Sequence, residues 1–292
     1  MKLACIDVGG TTIKSAVVTV SDPDDLNNGY SLGAFSFVPT EAPKGFEKIR
    51  ENIHSSISAL INKYGCQRIA VATAGTVDWD SGKVTYATDA LPGFTGYDFC
   101  KDLKETFSLP ATVINDATAA AVAEHYCGNP DGRDVVLTLG TGLGSALVKP
   151  GVLNASCVED LHLGHIILHE DGFLCKCGNK GCAEQYVSAS ALKRDSKQND
   201  ISQVFTKKEF EDVKNAFFDN MRRVVEYAIQ KYAPDDVVIG GGVVEIKKLW
   251  WNDFVAVCDK RAQTALRPAK LANKAGVLGA AYSAMRGKFR YQ

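Results

Sequence analysis

Three cysteines fall within eight residues, Cys175-Lys176-Cys177-Gly178-Asn179-Lys180-Gly181-Cys182, and His165 stands ten residues upstream. Thiolates and a neutral imidazole bind zinc tetrahedrally, and Cys-x-Cys-x4-Cys with one His has the make-up of a four-ligand site. Gly178 and Gly181 let the chain turn tightly enough for the three thiolates to converge. His162 and His169 are alternative imidazole donors, but His165, beside Gly164, has the better loop context. Four protein ligands leave no open position, so the expected metal is structural Zn2+ and not a Lewis acid. Three plain core thiols would be the alternative, and the lysines and glycines here make an unusual core.

A second chemistry is written in glycine turns: Asp7-Val8-Gly9-Gly10-Thr11-Thr12, Gly140-Thr141-Gly142-Leu143-Gly144 and Gly240-Gly241-Gly242. Backbone N–H groups reach an anion where no Cβ intervenes, so turns of this kind suit phosphate. A dinucleotide loop is the rival for Gly140–Gly144, but it requires a later third glycine and a helix next. Ser145-Ala146-Leu147-Val148-Lys149-Pro150 reads as a short strand closed by proline instead, and no GxxxxGK[ST] loop occurs. Two strand–glycine–strand hairpins would offer N–H and threonine hydroxyl donors to the β- and γ-phosphates of ATP. Asp7 would hold Mg2+ or its waters, and the third turn, before an apolar helix, would back the adenosine.

Asp116 is the candidate general base. Transfer of a phosphoryl group to an alcohol requires that the hydroxyl lose its proton as the new bond forms. Asp116 ends one strand and starts a helix, which aims a carboxylate at a helix N-terminus. A plain N-cap, from Asn115 or Asp116, is the competing reading.

These residues need strands that end at the turns. Leu3–Val8 and Ile13–Val20 read as a hairpin, Ser31–Val38 as a third strand, and Arg68–Thr73 and Thr112–Ile114 as short buried strands. Phe46–Tyr64 carries apolar residues at helical spacing (Phe46, Ile49, Ile53, Ile57, Leu60, Ile61), and Ala117–Tyr126 also reads as a helix. Val135–Leu139 and Ser145–Val148 flank the second turn, and Val237–Ile239 runs into the third. Thr206-Lys207-Lys208-Glu209 has the form of a capping box opening a long helix with Phe210, Val213, Phe217, Met221, Val224 and Ala228 on one face. Gly276–Met285 reads as a small-residue helix. Strand–glycine–helix units in this order predict an α/β class. The expected division is 1–117 plus 276–292 as a smaller lobe and 118–275 as a larger lobe carrying the cysteine loop. The paired Trp250-Trp251 is expected in packing or a dimer contact.

Composition narrows the function. The chain has 292 residues, 33 Lys+Arg and 34 Asp+Glu, a net charge of −1, and is 46% apolar. Near-neutral charge gives no nucleic-acid footprint, and no apolar run approaches the roughly 20 residues of a membrane span. The opening Met1-Lys2-Leu3-Ala4-Cys5-Ile6-Asp7 places a carboxylate too early for a secretory signal. A cytoplasmic, reducing setting is therefore expected, and the odd cysteine total of nine fits no complete disulfide framework.

Taken together these motifs resemble the ROK family (repressors, open reading frames and sugar kinases) of the actin-like ATPase superfamily. Asp7-x-Gly9-Gly10-Thr11 looks like its first phosphate motif, Asn115-Asp116-Ala117 its catalytic Asn-Asp, and Leu139–Gly144 its second phosphate motif. Gly164-His165 through Cys175, Cys177, Cys182 and Glu184 looks like its zinc signature. Ile239–Gly242 and Gly276–Ala280 are similar to its closing segments. The resemblance implies an α/β, ribonuclease H-like two-lobed fold with a cleft between lobes, a homodimer, and an ATP-dependent hexose or N-acylhexosamine kinase. Asp116 would take the proton of the sugar 6-hydroxyl. Asn115, His162, His165, Glu184, Gly75 and Asp89 would meet the sugar, with zinc fixing the loop of His165. Asp7, Gly9, Gly10, Thr11, Thr12, Lys14, Gly140, Thr141, Gly142, Gly241 and Gly242 would hold ATP and its Mg2+. Two departures bear on the acceptor: His162 stands where the family usually has Glu, and Ala90 where many hexose-specific members have Asn. N-acetylmannosamine is the first expected substrate and glucose the next. A DNA-binding regulator of the family would need a helix-turn-helix ahead of Asp7, for which no room is seen.

Overall fold

The computed structural model describes residues 1–151, 153 and 157–287. In chain order the elements are β1 (Lys2–Val8), β2 (Thr12–Val20), β3 (Tyr30–Pro39), α1 (Phe46–Tyr64), β4 (Arg68–Thr73), β5 (Thr76–Val77), β6 (Val84–Tyr86), α2 (Phe99–Phe107), β7 (Ala111–Asn115) and α3 (Asp116–Gly128). There follow β8 (Asp134–Leu139), β9 (Leu143–Val148), β10 (Val158–Asp160), α4 (Ala189–Ser196), α5 (Ser202–Thr206), α6 (Glu211–Tyr232), β11 (Asp236–Gly240), α7 (Trp251–Val257), α8 (Lys260–Ala265), β12 (Leu266–Pro268) and α9 (Ala275–Arg286).

The chain divides into two compact units, Met1–Cys127 with Gly151–Val158 and Lys274–Gln292, and Gly128–Pro150 with Glu159–Asn273. The sequence placed the first crossing at 117/118. It lies ten residues later, because α3 as far as Cys127 packs within the first unit: Gly279 of α9 lies against the Ala119 carbonyl, and the Tyr126 and Tyr282 rings are 4.4 Å apart. Residues 288–292 of the expected tail lie outside the described residues.

The first unit is built on a sheet ordered β3-β2-β1-β4-β7. β1 and β2 form an antiparallel hairpin in which Asp7 faces Lys14 and Val8 faces Ile13. β4 and β7 add in parallel, with Asp7 beside Ala72 and Thr73 beside Asn115. The carboxyl ends of β1, β4 and β7 therefore sit at one edge, where an open parallel sheet carries its ligands. Ile49, Ile53, Ile57 and Leu60 form the buried stripe of α1 and join Ile6, Val71, Phe94 and Phe99 in one core. α9 packs on β1, β4 and β7, and its small residues permit that close approach.

The second unit is built on a sheet ordered β10-β9-β8-β11-β12. β8 and β9 are antiparallel, while β8, β11 and β12 run parallel. Its core joins Leu137 and Ile239 to Phe217, Phe218 and Val224 of α6 and to Trp250 and Phe254. Trp250 is a packing residue whose Nε1 donates to the Val243 carbonyl at 3.1 Å.

Two local expectations are corrected. The Thr206–Glu209 capping box does not form: Thr206 ends α5, its hydroxyl donates back to the Ser202 carbonyl at 3.1 Å, and α6 starts at Glu211 without a side-chain cap. Phe205 stacks on Trp250, and this packing keeps 202–206 as a helix of its own. The apolar helix after the third turn is a 3-10 stretch, Gly242–Leu249, interrupted at Ile246. Among the described residues no helix is long and apolar enough to cross a membrane.

Candidate active site and metal centre

In the first unit the turn after β1 is closed by the Gly9 N–H donating to the Thr12 carbonyl at 3.0 Å. Thr40, fully buried, holds it from outside: its hydroxyl donates to the Gly9 carbonyl at 2.6 Å and its N–H to the Thr11 carbonyl at 3.0 Å. No motif marked Thr40, because its role depends on where β3 ends. Thr11 is exposed and Thr12 half-buried. Gly10 backs onto the loop after β6, where an added Cβ would stand 3.0 Å from the Ala90 Cβ. Asp89 itself is exposed.

The hairpin register produces an ion pair, with Lys14 Nζ 2.8 Å from Asp7 Oδ2. Gly276 lies beside the same oxygen, 2.5 Å from where its Cβ would be. That contact joins residues 269 positions apart and has no local signal in the sequence.

Asn115 and Asp116 meet at the junction of β7 and α3. Asn115 is the cap, with Oδ1 accepting from the Thr118 N–H at 2.9 Å. Its amide donates to the Gly75 carbonyl at 2.8 Å. The Asp116 carboxylate accepts from the Ala117 N–H at 2.8 Å and from Asn115 Nδ2 at 3.1 Å. Burial first, and then the Asp7 carboxylate, push the Asp116 carboxyl up to about 6, against the pull of the Ala117 N–H and of Lys14. The cap and the candidate base are thus different residues, and the Asp116 carboxyl holds its proton more tightly than an ordinary carboxylate.

In the second unit the turn after β8 is closed by Gly140 N–H to the Gly142 carbonyl at 3.0 Å, with Thr141 exposed. Ala189, at the start of α4, donates to the Gly140 carbonyl at 2.8 Å. Gly241 has φ +86° and an added Cβ would meet the Leu139 backbone at 2.5 Å, so only glycine fits there. Gly242 is exposed.

His165, Cys175, Cys177 and Cys182 converge, with one ligand atom from each lying within 4.8 Å of the others. Cys177 Sγ is 3.5 Å from Cys182 Sγ, and Cys175 Sγ is 3.7 Å from His165 Nδ1. Bonds of about 2.1–2.3 Å around a tetrahedral zinc put donors roughly 3.5–3.8 Å apart, so the set fits that ion. Burial raises the Cys175 thiol and pushes that of Cys182 up to about 12; a bound zinc would displace those protons. His169 is not in the cluster: its Nε2 is 2.7 Å from Asn220 Oδ1. His162 is exposed, with Nδ1 3.3 Å from Asp160 Oδ1. The loop carrying both is pinned by the Leu163 N–H donating to Ser145 Oγ at 2.8 Å, another residue that no motif marked. Glu184 Oε1 lies 3.2 Å from Cys175 Sγ.

The ROK family pattern matches residues 3–286. The chain belongs to the ROK family. This ROK protein is similar to the glucokinase of Halalkalibacterium halodurans, 29% identical over 316 residues, 94% of this chain and 92% of that protein. It is similar to the same degree to the N-acetylmannosamine kinase of Citrobacter koseri, 29% identical over 303 residues, 99% of this chain and 100% of that protein. Among solved structures, the ROK hexokinase of Thermus thermophilus matches with a TM-score of 0.72 at 26% identity, covering 97% of each chain. The fold is the α/β fold of the actin-like ATPases, and the protein is a ROK sugar kinase, a phosphotransferase with an alcohol acceptor.

Proposed function

We propose that this ROK kinase transfers the γ-phosphoryl group of ATP to the 6-hydroxyl of a hexose or N-acylhexosamine, with N-acetylmannosamine as the preferred acceptor and glucose as the alternative. The observation that carries the reading is Asp116: a carboxylate at a strand-to-helix junction, raised to about 6 and held by Asn115 and the Ala117 N–H. Such a group takes a hydroxyl proton as the bond to phosphorus forms. Positioning and charge neutralisation supply most of the remaining acceleration.

Gly9, Gly10, Thr11 and Thr12, with Gly140, Thr141 and Gly142, offer N–H and hydroxyl donors to the phosphates. Lys14 engages Asp7 Oδ2, which leaves Oδ1 to hold Mg2+ or its waters; the ion bound there with ATP would supply neutralisation of the developing charge. Gly241 and Gly242 back the nucleoside. Asn115 and the Gly75 carbonyl it holds, with Asp89, His162, His165 and Glu184, take the other sugar hydroxyls. His165 turns Nδ1 to the cysteines, and Nε2 remains for the sugar. Zinc bound by His165, Cys175, Cys177 and Cys182 supplies rigidity to that loop. The preference for N-acetylmannosamine rests on the imidazole of His162 in place of a carboxylate.

The test is the product. Protein, Mg-ATP and N-acetylmannosamine are incubated and followed by phosphorus–proton correlation NMR. Coupling of the new phosphorus to the C6 protons is expected. Coupling at any other carbon, or none with every hexose and acylhexosamine, contradicts the proposal.

A further inference from the structure

Glu184 is bracketed between two parts of the second unit. One carboxylate oxygen, Oε1, stands 3.2 Å from Cys175 Sγ. The other, Oε2, occupies the space that a side chain at Gly142 would need. The backbone around Glu184 is fixed independently: Ala183 N–H donates to the Ile166 carbonyl and Gln185 N–H to the Cys182 carbonyl, both at 2.9 Å. The main remaining freedom is in the side-chain torsions of Glu184.

Gly142 is not required by its own backbone. It is not among the positive-φ glycines, unlike Gly241 in the third turn, so alanine can adopt its conformation. Nor do all glycines of this turn share the constraint, since an added Cβ at Gly140 meets nothing within 4 Å. What excludes a side chain at 142 is the Glu184 carboxylate.

We infer that Gly142 is a positioning residue for the sugar: its missing side chain leaves the place in which the Glu184 carboxylate is set for the acceptor. The inference rests on the reading of Glu184 as a sugar ligand. Because Oε2 is the far end of a flexible side chain, Gly142→Ala displaces it at little cost to the fold. The carboxylate then swings away from its bracketed position, and the acceptor loses a hydrogen bond to a charged group.

The test is steady-state kinetics on five variants, with N-acetylmannosamine, or with glucose if that is the better acceptor. Gly142→Ala is expected to raise KM for the sugar by about tenfold or more, on top of any effect it has on KM for ATP through the phosphate turn. Zinc content and Tm stay at wild-type values. Gly140→Ala, which adds a Cβ to the same phosphate turn without touching Glu184, is expected to raise KM for ATP and to leave KM for the sugar within about twofold. In Gly142→Ala/Glu184→Asp the shorter acid clears the new Cβ, so its sugar KM rises by less than the product of the Gly142→Ala and Glu184→Asp effects measured singly. Glu184→Ala separates the two levels of the argument. If it leaves sugar KM unchanged, the sugar-ligand reading of Glu184 is wrong and the inference goes with it. If it raises sugar KM while Gly142→Ala raises only KM for ATP, Glu184 keeps its role and the positioning inference is overturned.

Discussion

Asn115 donates to the carboxylate of its own chain neighbour: Nδ2 lies 3.1 Å from Asp116 Oδ1, while its Oδ1 caps α3 through the Thr118 N–H. One amide side chain thus caps the helix and orients the Asp116 carboxylate. The capping demand that competes for a carboxylate at this position is met by Asn115, which suits Asp116 to the role proposed for it.

The pH profile follows from Asp116. The carboxylate must be ionised to accept a proton, so kcat/KM for the sugar at saturating ATP is expected to fall below about pH 6, tenfold per unit. Asp7→Asn removes the neighbouring negative charge and moves this limb to lower pH; Lys14→Met removes the compensating cation and moves it to higher pH. A limb that stays in place in both variants excludes Asp116 as its source.

The same group sets an opposite trend in stability. The folded value of about 6 lies above the ordinary 3.8, so the folded state holds the proton more tightly. The stabilisation is complete below the unfolded value and is lost as pH rises through about 6. Asp116→Asn, expected to lower kcat by about 10²–10⁴-fold, should nevertheless melt above wild type at pH 8, the gap closing at pH 4. A lower Tm at pH 8 would show that burial does not penalise this carboxylate.

Metal content tests the four-ligand cluster. Purified protein is expected to hold about one zinc per chain by atomic emission, as a closed structural site does. Cys182→Ser should lose it and melt several degrees lower, since roughly 1 kcal/mol corresponds to about 2–4 °C in a protein of this size. Full zinc occupancy in that variant would place the metal elsewhere.

Close packing of α9 on α3 gives a stability prediction remote from the chemistry. A Cβ at Gly279 would run into the Ala119 carbonyl. Gly279→Ala should therefore cost about 1–3 kcal/mol or more through overpacking, read as a lower denaturation midpoint in urea. An unchanged midpoint would mean that the two helices are not in contact there.

Local features were legible in the sequence and long-range ones were not. The helix over Phe46–Tyr64 coincides with α1, because its apolar spacing is a sufficient signal. The convergence of Cys175, Cys177 and Cys182 needed only short spacings and two glycines. Phe205 shows the limit: its stacking on Trp250, 45 residues away, overrides the capping pattern at Thr206. The Asp7–Lys14 ion pair needed the hairpin register. Thr40 and Ser145 act through partners distant in sequence, so no local pattern could single them out; Gly276 lies in a segment the motifs covered, but its contact with Asp7 has no local signal.

The most direct measurement is sugar-dependent ADP release from Mg-ATP across glucose, fructose, mannose, N-acetylglucosamine and N-acetylmannosamine, run in parallel on wild type and Asp116→Asn. Release that is fastest with N-acetylmannosamine, and lost in the variant, is the expected result. Fastest release with glucose would overturn the role given to His162 and leave Asp116 as base. Equal rates for wild type and Asp116→Asn would contradict the central claim that Asp116 takes the acceptor proton.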